Sequence, residues 1–96
     1  VVVETSSGRP YTQYELMNGD VLRSFDIHSN PLDYIWHMDS EDRYVYIEKT
    51  GQGWKFQFDN ELPRLLNKGD KLFIPKMTFH RVIKGEDQLV VRIKTV

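Results

Sequence analysis

Apolar residues in this chain recur at every second position more clearly than at every third or fourth, the spacing that turns one face of a β-strand toward a core. Trp54-Lys55-Phe56-Gln57-Phe58-Asp59 shows it best, with aromatic and polar side chains on opposite faces. Strand-like runs also cover Tyr14 to Met17, Val21 to Ile27, Asp33 to His37, Arg43 to Glu48, Lys71 to Pro75, Phe79 to Ile83 and Leu89 to Ile93. Turn signals separate them: Asn18-Gly19-Asp20, Asp39-Ser40-Glu41-Asp42, Gly51-Gln52-Gly53, Asn67-Lys68-Gly69-Asp70 and Gly85-Glu86-Asp87. Asn18-Gly19 suits the left-handed dihedrals of a tight hairpin. Leu62 to Leu66 contains Pro63, which cannot donate to a central ladder, so this piece is expected as a short helical turn or an edge strand. The chain reads as all-β, and short strands at near-regular spacing indicate a sandwich or a barrel, between which periodicity does not choose.

The 96 residues make one domain, 1–96, with no room for a second core. A net charge of −1, with Lys and Arg spread along the chain, gives no basic footprint for nucleic acid or for an anionic membrane. No apolar stretch approaches the length that spans a bilayer, and the start, Val1-Val2-Val3-Glu4, lacks the layout of a signal peptide, so the cytoplasm is the expected location. There is no cysteine, which removes disulfides and thiolate metal sites from consideration. Phosphate loops and nucleophile elbows are also missing, so phosphoryl or acyl transfer by those machineries has no support.

The segment Gly69-Asp70-Lys71-Leu72-Phe73-Ile74-Pro75-Lys76-Met77-Thr78-Phe79-His80 resembles the second motif of the cupin superfamily, in which a Gly stands six before a Pro and a metal-binding His five after it. The family often has a second Gly two after the Pro and an Asn four after the His; Met77 and Lys84 stand there instead. Ile35 to Ile47, with the later Gly51-Gln52-Gly53-Trp54, looks like a degraded first motif. His37 matches its first His, Asp39 stands where a second His would be, and Tyr44, flanked by Arg43, falls about where the usual Glu would be. The resemblance covers about residues 36–93 and implies a single-domain cupin-type jelly-roll β-barrel.

It also implies a metal site. Two imidazoles and one carboxylate form the ligand set of mononuclear non-haem iron centres, and His37, Asp39 and His80 supply it, with Asp42 as the alternative carboxylate. His37 and Asp39 are two apart, so on a strand they share a face. The bland alternative is that Asp39-Ser40-Glu41-Asp42 is a solvated acidic loop and His80 an inert strand histidine. Trp36, beside His37, is the expected aromatic contact at a pocket mouth, and Gln57 points either into the barrel, toward a substrate, or to solvent. His28 sits among turn residues and is read as a cap or as exposed.

The expected cofactor is one divalent metal, Fe, Ni, Zn or Mn, and the expected partner a small-molecule ligand. One function is a metal-dependent oxygenase or related enzyme. The other is a non-catalytic cupin module that binds a sugar, a small acid or a metal. A purely structural barrel is the third. A homodimer is expected, with Val1-Val2-Val3 and Leu89-Val90-Val91 as β edges in need of cover.

Overall fold

The computed structural model describes residues 2–5 and 10–95. Among these, nine strands form two antiparallel sheets: β1 (Val2–Thr5), β2 (Tyr11–Glu15), β3 (Val21–Phe25), β4 (Arg43–Thr50), β5 (Lys55–Phe58), β6 (Arg64–Leu65), β7 (Lys71–Ile74), β8 (His80–Ile83) and β9 (Leu89–Thr95). The larger sheet runs β1-β2-β3-β9-β4-β7 and the smaller β6-β5-β8. Alternation decides which side chains face inward. In β9, Leu89, Val91 and Ile93 are buried while Val90 and Arg92 are not, and Leu72 and Ile74 of β7 alternate with exposed Lys71 and Phe73 in the same way. The core joins these residues to Phe25, Val45 and Ile47 of the larger sheet, to Phe56 of the smaller, and to Trp54 and Leu66, which stand just before β5 and just after β6.

The expected hairpin is present between β2 and β3, and Gly19 adopts φ 89° in its turn. Asp20, just after that turn, is buried and accepts from Arg92 Nη1 at 2.7 Å, while Arg92 Nε donates to Glu48 at 3.1 Å. This chain of charges fastens the hairpin to β9 and to the irregularity that shifts the β4 register between Ile47 and Lys49. Leu62 to Leu66 resolves into the two-residue edge strand β6, where the missing donor of Pro63 costs no central ladder bond.

Two expectations are corrected. Asp33 to His37 does not form a strand. Pro31–Asp33 is a 3₁₀ turn, because Asn30 accepts from Leu32 N at 3.0 Å and Pro31 at its start already holds a helical φ. Past it, only His37 makes a β-bridge, to His80. Leu89-Val90-Val91 is not an edge either, since β9 pairs with β3 on one side and β4 on the other. The larger sheet instead ends at β1 and β7; Val1 lies outside the described residues. No described helix is long and apolar enough to cross a membrane.

Candidate metal centre

Cross-strand pairing, more than sequence spacing, brings the two histidines together. His37 N donates to His80 O at 3.0 Å and His80 N to His37 O at 2.9 Å, a reciprocal antiparallel pair. Opposed residues in such a pair project to one face, and the imidazole centroids lie 4.3 Å apart. Asp39 follows two residues after His37, and its backbone is held by the loop before β8: Met77 N donates to Asp39 O at 2.7 Å. Ligand atoms of His37, Asp39 and His80 all lie within 4.8 Å of one another.

The tautomers are decided by what each Nδ1 touches. His37 Nδ1 lies 3.1 Å from Ile35 O and His80 Nδ1 2.8 Å from Thr78 O. A carbonyl only accepts, so each Nδ1 carries a hydrogen, and in the neutral ring the lone pair is left on Nε2. The backbone carbonyls thus orient both rings as outer-shell partners orient metal-bound imidazoles. Burial, first of all, lowers the His80 pKa from its ordinary value; His37 and Arg43 push the same way, and Thr78 O and Asp39 oppose them. A neutral imidazole is the form that binds metal. His80 is buried, and exposure rises toward His37.

Asp39 is the shared member of the group. Its Oδ2 is 3.4 Å from His80 Nε2 and its Oδ1 3.3 Å from Arg43 Nη1. Two imidazoles and one carboxylate can hold a divalent ion, and the oxygen of Asp39 turned away from His80 faces the Arg43 cation. The group sits in the wall of a cavity of about 410 Å³ between the sheets, within the range of small-molecule sites. Val45, Ile47, Phe56, Leu72, Val91 and Ile93 give most of that wall an apolar surface.

The remaining candidate residues lie apart from the group. Asp42 Oδ1 accepts from Lys76 N at 2.8 Å and braces the two loops. Gln57 leaves β5 on the face opposite Phe56, where it accepts from Arg81 Nε at 3.0 Å and donates to Glu61 O at 3.0 Å. Trp36 is 39% exposed, with the Arg81 guanidinium 4.6 Å from its ring centre. Neither Trp36 nor Gln57 is part of the cavity wall. His28 is exposed in a turn, its N–H on Asp26 Oδ1. Tyr44 turns outward, against Phe73 and Lys71.

Arg23 and Arg43, which the sequence offers only as members of strand runs and, for Arg43, as the neighbour of Tyr44, both line the cavity. Strand parity was the available signal. Arg43 is two and four positions from Val45 and Ile47, and Arg23 is two from Phe25, all three buried.

No protein-family model matches the sequence, and no curated protein matches it. Solved structures do. KdgF from Halomonas sp. superposes with a TM-score of 0.74 at 18% identity, over 99% of this chain and 87% of that one. An RmlC-like cupin from Shewanella frigidimarina gives 0.74 at 16% identity, over 98% and 82%. FeII HppE gives 0.71 at 15% identity, over 99% of this chain and 55% of that longer one. With its two facing antiparallel sheets and these structural neighbours, the chain has the fold of the cupin-like superfamily.

Proposed function

We propose that this chain holds one divalent metal ion on His37, Asp39 and His80 and brings a small molecule onto it in the adjoining cavity, as a non-haem metal-dependent enzyme. The observation that carries the reading is the convergence of three ligand atoms within 4.8 Å at the wall of a cavity. The FeII form of HppE among the structural neighbours supports metal chemistry on this fold. When bound, the ion would supply Lewis acidity and open coordination positions. The chain's own part is to present two oriented Nε2 lone pairs, to keep His80 neutral by burial, and to surround the bound molecule with apolar side chains that exclude water.

A second reading, a non-catalytic binding module, is favoured by the wall itself. Away from His37, Asp39, His80 and the two arginines it is mostly apolar, with little to move a proton. Oxygen consumption that depends on added Fe(II) separates the two readings.

Calorimetric titration with Fe(II), Ni(II) and Zn(II) tests the centre itself. The wild type and Asp42→Ala are expected to bind, and His80→Ala and Asp39→Ala to lose binding while remaining folded. Wild-type affinity no tighter than about millimolar, roughly 4 kcal/mol, overturns the reading. Loss of binding in Asp42→Ala instead moves the carboxylate to that residue.

A further inference from the structure

Beside the two histidines and Asp39 stands a cation that a metal centre does not need. Arg43 opens β4 on the same face as Val45 and Ile47, and its side chain lines the cavity. Nη1 of its guanidinium lies 3.3 Å from Asp39 Oδ1, while Nε is buried with no hydrogen-bond acceptor among the described residues. A buried N–H without an acceptor is destabilising, more so on a charged group. The side chain as a whole is 24% exposed, so an acceptor in the cavity meets its terminal Nη donors first, and a small shift of the guanidinium toward that acceptor would also bring Nε a partner.

Arg23 adds a second guanidinium to the wall from β3; its Nε donates to Gln13 at 2.8 Å and it lies over the Tyr11 ring at 4.4 Å. The acidic residues of the wall are Asp33, exposed on the 3₁₀ turn, and Asp39, which a bound metal would take. With a divalent ion in place, the ion and Arg43 outweigh Asp39 and make that end of the cavity electropositive, while the rest of the wall is largely apolar.

We infer that the cavity takes a small monocarboxylic acid with an apolar body, its carboxylate on Arg43 beside the metal centre. A carboxylate is acceptor-only when ionised and matches the planar guanidinium fork. A phosphate ester would bring a second charge and more oxygens into a wall of hydrocarbon, where unpaired polar atoms are costly. The inference deepens the metal-centre reading and rests on it for one consequence. Metal that draws Asp39 away frees Arg43 Nη1 for the acid, and acid that engages Arg43 frees Asp39 for the metal. Each should strengthen the other's binding, as reciprocal linkage requires.

Cyclohexanecarboxylate and its uncharged counterpart cyclohexanecarboxamide are suitable probes, titrated by calorimetry into chelator-treated and into Zn(II)-loaded protein. The acid is expected to bind at least tenfold more tightly than the amide in both, and more tightly with Zn(II) than without. Arg43→Gln is expected to bring the acid down to the level of the amide, while Zn(II) affinity rises because Asp39 has lost its competing cation. Equal affinity for acid and amide, no acid binding at millimolar concentration, or an acid preference that survives in Arg43→Gln overturns the inference. If Arg43→Gln does not fold, the acid and amide comparison on the wild type decides. Acid preference without Zn(II) uptake sinks the metal reading alone; Zn(II) uptake without acid preference sinks this inference alone.

Discussion

Burial, His37 and the Arg43 cation all disfavour a proton on His80, so its folded pKa lies below the ordinary 6.5. The unfolded chain then takes up that proton first as pH falls, and the folded state loses stability to it. In chelator-treated protein this contribution is complete above about pH 6.5 and declines as pH drops from there toward the folded pKa. Its slope cannot exceed about 1.4 kcal/mol per pH unit for one group. Urea midpoints at pH 7.5, 6.5 and 5.5 should show the decline in wild type and a flatter profile in His80→Gln; equal profiles would mean that His80 does not titrate as its burial requires. Met77 offers a second test at this scale. It adopts φ 58°, a left-handed conformation that costs a residue with a Cβ about 1–2 kcal/mol, in the loop whose N–H holds Asp39 O. Met77→Gly relieves that strain but frees the unfolded chain by roughly 0.5–1 kcal/mol. A net gain of about 0.5 kcal/mol is expected from chemical denaturation, and a loss would show that the Met77 side chain has a packing role its exposure does not reveal.

Among the elements, the contact between two turns carries more than either turn alone. Gly85, between β8 and β9, lies so close to the β4–β5 turn that a Cβ on it would meet Trp54 N at 2.3 Å and Gln52 O at 2.4 Å. The same approach lets Trp54 Nε1 donate to Glu86 O at 2.9 Å and Glu86 N to Gln52 O at 2.7 Å. Gly85→Ala must separate the turns and withdraw Trp54 from its acceptor. A loss of about 2–3 kcal/mol is expected, at the upper end of overpacking costs, against under about 0.5 kcal/mol for exposed Leu62→Ala. Denaturant midpoints for the pair check this, and similar values would mean that the turns are not rigidly docked. The sequence made these turns legible through their glycines and made β5, β7 and β9 legible through alternation, because those strands have one face in the core. It misled at Asp33 to His37, where Tyr34, Ile35 and Trp36 have strand-like composition but the Asn30-Pro31 start imposes a 3₁₀ turn. That His37, Asp39 and His80 lie together was legible through the spacing of the resemblance. What brings them together, a bridge between residues 43 positions apart, was not. Arg43 went unread as a cavity residue because a charged residue at a strand start ordinarily faces water.

Across the whole molecule, the larger sheet ends in β1 and β7, and β7 carries exposed Phe73 with exposed Met77 in the loop beyond it. Unpaired edges and exposed apolar groups favour covering by a second copy, so a homodimer is expected. Light scattering at high micromolar concentration should give twice the 11.4 kDa chain mass; a monomer mass would remove the expectation. The placement of the two tryptophans has a practical consequence of another kind. Trp54 is wholly buried at the meeting of the turns, whereas Trp36 is partly open to water beneath Arg81 and next to His37. Their fluorescence should therefore separate into a short-wavelength component that iodide does not reach and a longer-wavelength one that it quenches. The first reports on the core and the second on the segment that carries His37, so the chain holds two built-in dyes with which loosening of the site can be timed against loss of the fold.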